Sequence, residues 1–202
     1  MLNTGLGVLV RGLIDGFRYG EINYTPRKIY VPEKLVQSNS KAWVGLEKII
    51  LDIIEFAGIK TNSALEFGVE FGYSTAVFAN FFDSVTGVDI FTGDPHAGHF
   101  GDIYEDTKRN LQAFTNINLV RADYRDFIAS HDESVDLVHV DIIHTYEDTY
   151  RCGLWAAKHS QCTLFHDTQS FPEGKRAVAA IAKNTGKKFY NFKKCNGLGI
   201  LV

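Results

Sequence analysis

Residues 65–75, LEFGVEFGYST, decide which fold this sequence predicts. An apolar run reaches the carboxylate of Glu66, and two glycines, Gly68 and Gly72, then lead into residues that can begin a helix. Glycine lets the backbone approach a ligand closely, and a helix N-terminus presents unpaired N–H groups to it. A dinucleotide-binding turn would need G-x-G-x-x-G after an apolar strand, without the acid. Because a carboxylate repels a pyrophosphate and attracts an ammonium group, the stretch favours a ligand that carries an ammonium group.

Short β-branched runs alternate with helical patterns from residue 63 onward. The predicted strands are 63–67, 85–90, 118–123, 135–141, 161–167, 188–192 and 198–202. The predicted helices are 41–57, 74–82, 102–115, 124–130, 146–159 and 173–185. Such alternation is typical of a parallel sheet with helices on both faces. The loop KKCNG between the last two strands is too short for a parallel crossover, so the last strand must run antiparallel. We therefore predict a doubly wound, Rossmann-like α/β fold with a seven-stranded sheet.

The composition is that of an ordinary globular protein. The 202 residues include 45% hydrophobic and 22% charged residues, which is enough for one domain with a sizeable core. A formal net charge of -3 disfavours nucleic acid and membrane surfaces as partners, because both attract a basic face. Three widely spaced cysteines indicate neither disulfides nor a zinc cluster, and they fit a reducing, cytoplasmic compartment. No apolar run approaches the roughly 20 residues that span a bilayer.

We expect residues 1–202 to form a single domain with an N-terminal extension. Residues 1–62 combine aromatic residues and prolines with one helical stripe, and they resemble an arm or lid before the α/β core of 63–202. The apolar beginning of the chain lacks a basic leader, so we expect it in the mature protein, where it could serve a homo-oligomer interface.

Three acids end three successive predicted strands. Glu66 is placed for an ammonium group, Asp89 for ribose hydroxyls, and Asp123, with Tyr124 beside it, for an adenine edge or face. Parallel strands bring their carboxyl ends to one edge of the sheet, where doubly wound folds bind ligands. Each acid alone could instead cap a helix or shape a turn. Together with the glycine pair, they predict S-adenosylmethionine as the ligand.

The stretch LEFGVEFGYST…VTGVDI resembles the first two motifs of class I S-adenosylmethionine-dependent methyltransferases. The later stretch VDLVHVDIIHTYEDTYRCGLW…CTLFHDT is similar to a subgroup with an H-D-T motif after strand five, to which macrocin-type and catechol-type O-methyltransferases are related. The resemblance covers about residues 60–202. It implies methyl transfer to a hydroxyl of a small-molecule acceptor such as a sugar or glycoside. The implied cofactor-binding residues are Glu66, Gly68, Gly72, Ser74, Asp89, Ile90, Asp123, Tyr124 and Asp141.

A second group of polar residues follows the fourth and fifth strands of the core. Asp141, His144, His166 and Asp167 should meet at the carboxyl edge of the sheet. Asp141 and Asp167 are candidates to share Mg²⁺, which would lower the pKa of a bound hydroxyl and orient its oxygen. Asp141 is therefore also a candidate catalytic residue. His144 or His166 is the expected general base, because imidazole titrates near neutral pH.

Departures from the subgroup pattern leave alternatives open. Ile142 and Ile143 stand where the subgroup has a glycine and often a second carboxylate, and HSQC replaces Pro-Gly-Gly before strand five. A non-catalytic S-adenosylmethionine-binding module is therefore one alternative, and a nicotinamide-dependent oxidoreductase is a weaker one. His166 and Asp167 could also simply hold their loop by hydrogen bonds. The glycine-rich loop 91–102 could close over the site and contact the substrate.

Overall fold

The computed structural model describes residues 18–37, 42–96 and 100–202. The strands are β1 (Ile22–Asn23), β2 (Ser63–Phe67), β3 (Ser84–Asp89), β4 (Ile117–Arg121), β5 (Val135–Val140), β6 (Ser160–His166), β7 (Phe189–Phe192) and β8 (Leu198–Leu201). The helices are α1 (Ile50–Ala57), α2 (Tyr73–Ala79), α3 (Tyr104–Leu111), α4 (Tyr124–Ser130), α5 (Tyr146–His159) and α6 (Pro172–Thr185). Each predicted strand is present, and the predicted helix 41–57 is confined to a 3₁₀ turn, Leu46–Lys48, and α1.

The strands form one sheet in the order β1-β7-β8-β6-β5-β2-β3-β4. Strands β2 to β6 pair in parallel with one another, and β8 runs antiparallel to both β6 and β7. The predicted Rossmann-like fold and its reversal at the last strand are therefore confirmed. The structure adds an eighth strand, because β1 of the N-terminal arm pairs in parallel with β7. Two residues, Ile22 and Asn23, are too few for a strand pattern to be visible in the sequence.

Local signals fix the ends of the long helices next to the sheet. Pro172 occupies the first turn of α6, where a missing N–H costs no hydrogen bond, and Gly186 ends the helix in the left-handed conformation. Thr145 caps α5 by accepting a hydrogen bond from the backbone N–H of Asp148. None of the helices in the described parts of the chain is both long and apolar enough to cross a membrane.

Two apolar layers cover the sheet, one on each face. On one face, α1 and α2 bury Ile50, Ile53 and Phe78 against the strands. On the other face, α5 and α6 bury Cys152 and Ile181. Full burial of an aliphatic or aromatic side chain contributes about 1.5–3 kcal/mol, so these layers hold the strand ends in place.

The carboxyl edge of the parallel strands carries strained backbone. Glu70, Phe91 and Asp167 follow β2, β3 and β6 and have φ angles of 51°, 57° and 60°. The left-handed region costs an L-residue roughly 1–2 kcal/mol, and such strain concentrates at functional sites. The distribution of strain therefore points to this edge of the sheet as the functional one.

Candidate active site

A cavity of about 370 Å³ opens at the carboxyl edge of the parallel strands. Its walls come from the turns that follow β2 to β6, together with Ala42 and Trp43 from the segment before the 3₁₀ turn. The volume lies in the range of roughly 300–1,000 Å³ that small-molecule sites occupy. All of the predicted site residues line this cavity except Glu66 and Gly72.

Gly68 is required by the close approach of two strand ends. Its φ is 88°, and a Cβ atom on it would lie 1.7 Å from the backbone oxygen of Asp141. The N–H of Gly68 donates to the oxygen of Val88 at 3.0 Å, and the N–H of Asp141 donates to the oxygen of Phe67 at 2.8 Å. The turn after β2 is thus held between β3 and β5, and it shares one wall of the cavity with Asp141.

Glu66 lies in the core beneath this turn and not in the cavity. Its side chain is 0% exposed, and one carboxylate oxygen lies 2.8 Å from His139 Nδ1 while the other accepts a hydrogen bond from Thr75. Glu66 and His139 are register partners on β2 and β5, so both side chains leave the same face of the sheet. This placement corrects the expected contact with a ligand ammonium group. Glu66 instead supports the turn from below.

Gly72 begins α2 and does not line the cavity. Its φ is 88°, and a Cβ atom on it would lie 2.8 Å from the side chain of Leu111. The glycine is therefore needed for the turn and for packing against α3, which corrects its assignment to the cofactor. Ser74, two residues later, does line the cavity, although only 5% of it is exposed.

Asp89 ties together the turns that follow β2 and β3. Its Oδ2 accepts the N–H groups of Val69 and Glu70 at 2.8 and 2.9 Å, and its Oδ1 accepts the N–H of Phe91 at 2.7 Å. A carboxylate offers about four lone-pair sites, so these three bonds leave one for a hydroxyl in the cavity. The apolar side chain of Ile90 lines the cavity beside it and is 40% exposed. The pair suits the polar and apolar parts of a nucleoside.

Asp123 and Tyr124 form the wall beyond β4. Asp123 caps α4 by accepting the N–H of Arg125 at 2.8 Å, which confirms the alternative of a helix cap, and it lines the cavity as well. Tyr124 donates its hydroxyl to Asp148 Oδ1 at 2.6 Å, and the Arg125 guanidinium lies 4.9 Å from its ring centre. Burial and then the bond to Asp148 raise the pKa of Tyr124, so its hydroxyl stays neutral.

The residues that follow β5 and β6 meet as predicted and form two acid–imidazole pairs. His166 Nδ1 lies 3.0 Å from Asp141 Oδ2, and His144 Nε2 lies 3.2 Å from Asp167 Oδ2. The pairs also contact each other, since His144 Nε2 is 3.8 Å from Asp141 Oδ1 and His166 Nε2 is 3.6 Å from Asp167 Oδ1. The His166 side chain is 2% exposed and that of His144 is 12% exposed. His144 is therefore the more accessible imidazole.

The buried pair is ionised at neutral pH. Burial alone would lower the pKa of His166, but the carboxylates of Asp141 and Asp167 outweigh it and raise the pKa to about 9. Burial alone would raise the pKa of Asp141, but His166 and two further histidines hold it well below its usual range. His166 is then an imidazolium without a free lone pair. The raised pKa and the burial of His166 therefore favour His144 as the general base.

The donor set does not fit the predicted magnesium site. Asp141 and Asp167 are both in contact with imidazole nitrogens, and the imidazolium of His166 lies close to each of them as a counter-ion. Mg²⁺ demands octahedral oxygen ligands, and Ile142 and Ile143 supply no side-chain oxygen. Across the described residues, no group of three His, Cys, Asp or Glu side chains could hold a metal ion. The side chains at this edge of the sheet are therefore engaged with one another and do not form a magnesium-binding set.

The loop 91–102 reaches the site through His96. The N–H of His144 donates to His96 Nδ1 at 3.0 Å, and the two rings stack with centroids 5.6 Å apart. Phe171 packs on both rings, at 4.9 Å from His96 and 4.3 Å from His144. The loop thus buttresses the imidazole of His144, while its other histidine, His99, lies outside the described residues.

Trp43 is a cavity residue that the sequence pattern assigned to a helical stripe. Its ring lies edge-on to His139 at 5.0 Å and tilted against His166 at 5.8 Å. Trp43 is spaced from the later apolar residues of 41–57 as on one face of a helix, so nothing in the sequence distinguishes it from a core residue. Other site contacts that were not predicted come from Arg125, Asp148 and Phe171.

A family model described as a methyltransferase domain matches residues 65–168. The match extends from β2 past β6, so it contains the glycine turn, Asp89 and both acid–imidazole pairs. The chain belongs to this methyltransferase family. Membership confirms the predicted methyltransferase and decides against the nicotinamide-dependent oxidoreductase. The H-D-T subgroup stays a prediction.

The methyltransferase is also similar to one curated protein and to solved structures. The uncharacterized protein y4gI of Sinorhizobium fredii is 30% identical over 156 residues. The match covers 71% of this chain and 17% of that protein, so the chain spans less than a fifth of its relative. The O-methyltransferase NovP matches with a TM-score of 0.63 and 12% identity, over 80% of this chain and 78% of NovP. The S-adenosylmethionine-bound CalS10, an amino pentose methyltransferase from Micromonospora echinaspora, matches with a TM-score of 0.58 and 13% identity, over 79% of this chain and 90% of CalS10. At these identities the structures show a shared fold.

Proposed function

We propose that this methyltransferase moves a methyl group from S-adenosylmethionine to a hydroxyl oxygen of a small molecule, with His144 as the general base. The observation that carries the proposal is the 3.2 Å contact between His144 Nε2 and Asp167 Oδ2 at the cavity. Bound S-adenosylmethionine supplies an electrophilic methyl group. The protein must therefore deprotonate the acceptor oxygen and hold it in line with that group.

The cofactor would lie along the turns that follow β2, β3 and β4. We assign one of its ribose hydroxyls to Asp89, which has one lone-pair site left after its three backbone hydrogen bonds. The ring of Tyr124 and the side chain of Ile90 would enclose the adenine, with Asp123 at its polar edge. The residues assigned to the amino-acid end are Gly68, Ser74 and Asp141.

The acceptor proton would move to Nδ1 of His144. Its Nε2 lies 3.2 Å from Asp167 Oδ2, so the negative charge of that carboxylate favours a proton on Nε2 and leaves the ring lone pair on Nδ1. When Nδ1 takes up the proton, positive charge forms on the imidazole 3.2 Å from the Asp167 carboxylate, which stabilises it. The buried ion pair of His166 and Asp141 lies beside this pair, with Asp141 Oδ1 3.8 Å from His144 Nε2.

A sugar or glycoside is the acceptor class that we propose. Trp43 and His144 line the cavity, where a sugar ring can lie against their aromatic atoms. Asp167 lines the cavity, so its carboxylate is placed to accept a hydrogen bond from a second hydroxyl. The names of NovP, an O-methyltransferase, and CalS10, an amino pentose methyltransferase, are consistent with this class but describe those proteins.

Transfer of a labelled methyl group to a panel of hydroxylated and amino acceptors tests the proposal. We expect label on hydroxyl compounds and a fall of roughly 10²–10⁴ in kcat for His144→Gln, the size typical of a lost general base. His159→Gln is the matched control, because His159 pairs with the fully exposed Asp132 at the far end of α5. Label on amines alone would contradict the oxygen acceptor. Binding of S-adenosylhomocysteine without any transfer would favour the non-catalytic module.

Magnesium assistance has a separate test, because the donor set gives it no support. Removal of divalent cations with EDTA should leave the transfer rate unchanged. A rate that falls with EDTA and returns with Mg²⁺ would restore the metal to the mechanism. A single domain over 1–202, a cytoplasmic location and a homo-oligomer also stand as proposals from the sequence.

A further inference from the structure

A chain of buried polar contacts connects the N-terminal arm to the loop that carries Asp167. Thr168 Oγ1 donates to Asn191 Oδ1 at 2.8 Å, and Asn191 Nδ2 donates to Glu21 Oε2 at 3.0 Å. These residues lie in the interior, with exposures of 2% for Thr168, 0% for Asn191 and 7% for Glu21. The contacts therefore join three distant segments: the loop after β6, strand β7 and the residue before β1.

Two lysines keep Glu21 ionised. Lys175 Nζ lies 2.8 Å from Glu21 Oε2, and Lys193 Nζ lies 2.7 Å from Oε1. Burial alone would raise the pKa of Glu21, but the bonds from Lys175, Lys193 and Asn191 outweigh it and lower the pKa. An ionised carboxylate only accepts hydrogen bonds.

The charge on Glu21 sets the direction of each hydrogen bond that follows. Since Glu21 can only accept, Asn191 must turn its NH₂ group toward it, and the Asn191 carbonyl oxygen then faces Thr168. Thr168 must donate to that oxygen. One orientation of the Thr168 side chain is thereby selected, one residue after Asp167.

Asp167 needs such an anchor because its backbone is strained. Its φ of 60° lies in the left-handed region, which costs a non-glycine residue free energy, although aspartate tolerates it better than most. The β7–β8 turn supports the same loop, because the N–H of Gln169 donates to the oxygen of Asn196 at 2.8 Å. Release of Thr168 would remove the link that adjoins Asp167 directly.

We propose that Glu21, acting through Asn191 and Thr168, is a positioning residue that holds Asp167 against His144. The inference rests on the proposed function, in which His144 is the general base. None of the three residues lines the cavity, so they can affect the reaction only through the position of Asp167. The property of His144 that depends on this position is its tautomer. With Asp167 in place, His144 carries its proton on Nε2 and keeps Nδ1 free.

Nitrogen-15 NMR of histidine-labelled protein measures this tautomer without any acceptor. The signals of His144 are assigned by their loss in His144→Gln, and we expect the Nε2–H form in the wild type. Thr168→Val keeps the shape of the side chain and removes its donor. It should lower the ratio of Nε2–H to Nδ1–H by up to about fivefold, the factor that corresponds to the full free energy of one lost hydrogen bond. Glu21→Gln should shift the ratio in the same direction, and Thr168→Ser should keep it.

Thr163→Val is the matched control. Thr163 is a fully buried threonine on β6 whose hydroxyl bonds to Ser160 at 2.9 Å, so the same substitution there removes a hydroxyl without touching Asp167. An unchanged ratio in Thr168→Val and Glu21→Gln would overturn the inference. Glu21→Gln keeps the shape of the side chain. If Thr168→Val does not fold, the tautomer ratio of Glu21→Gln is sufficient to test the inference. The wild-type tautomer is measured before any variant. If the wild type lacks the Nε2–H form, the proposed function itself is contradicted, and not only the role of Glu21.

Discussion

Replacing His166 by asparagine tests the buried ion pair at the centre of the site. The pKa of His166 rises from 6.5 to about 9 in the folded protein, because the carboxylates of Asp141 and Asp167 outweigh the effect of burial. Since the folded-state pKa lies above the unfolded one, the folded state binds this proton more tightly. The stability that the proton contributes is fully present below about pH 6.5 and is lost as the pH rises through about 9.

The size of the effect follows from these two pKa values. They differ by about 2.5, and each unit corresponds to about 1.36 kcal/mol, so the proton on His166 contributes about 3 kcal/mol at low pH. The side chain is only 2% exposed, so solvent screening is small. Between pH 7 and pH 10, about 2–3 kcal/mol of this contribution should disappear.

Urea unfolding at pH 7 and pH 10 measures the loss in wild type and His166→Asn. The wild type should lose about 2–3 kcal/mol more of its free energy of unfolding over this interval than the variant does. Titrating groups outside the site are common to both proteins, so they cancel in the difference. His159→Asn removes a histidine outside the site and should retain the wild-type loss. Equal losses in wild type and His166→Asn would refute the ion pair.

Three further substitutions test how the site is supported. Gly68→Ala should lower the free energy of unfolding by about 3 kcal/mol or more in urea titrations, because its Cβ would lie 1.7 Å from the oxygen of Asp141. Gly101→Ala, at a positive φ in open space, is its control and should cost clearly less. His139→Phe should destabilise by about 3–5 kcal/mol, since it leaves the buried carboxylate of Glu66 without its imidazole, and adding Glu66→Leu should restore most of that loss. Asp89→Asn should weaken S-adenosylhomocysteine binding by about tenfold or more in calorimetry, because an amide cannot accept all three backbone N–H groups; Asp106→Asn on exposed α3 should not.

The positions of the strand ends could be predicted because they depend on local patterns. Apolar β-branched runs stop where the chain leaves the sheet, and parallel pairing then brings Asp89, Asp141 and Asp167 to one edge. The reversal at β8 could be predicted from the short loop before it. The site could thus be located from the sequence, and its polar residues could be named.

The partners of those residues could not be predicted, because they depend on contacts between distant segments. Glu66 does not end its strand as predicted, because it is the fourth of the five residues of β2 and pairs with His139 on the neighbouring strand. The charge on His166 depends on carboxylates whose distances only the folded chain defines. The two-residue strand β1 and the bond from Asn191 to Glu21 are likewise products of tertiary packing.

Calorimetric titration with S-adenosylhomocysteine, with and without Mg²⁺, tests the central claim most directly. We predict one binding site with a dissociation constant on the order of micromolar, in the range of ordinary enzyme substrates. The affinity should be the same in both conditions, because the Asp141 and Asp167 carboxylates are engaged by histidines. No binding in either condition would contradict the assignment of this cavity to S-adenosylmethionine, and binding only with Mg²⁺ would contradict the metal-free site.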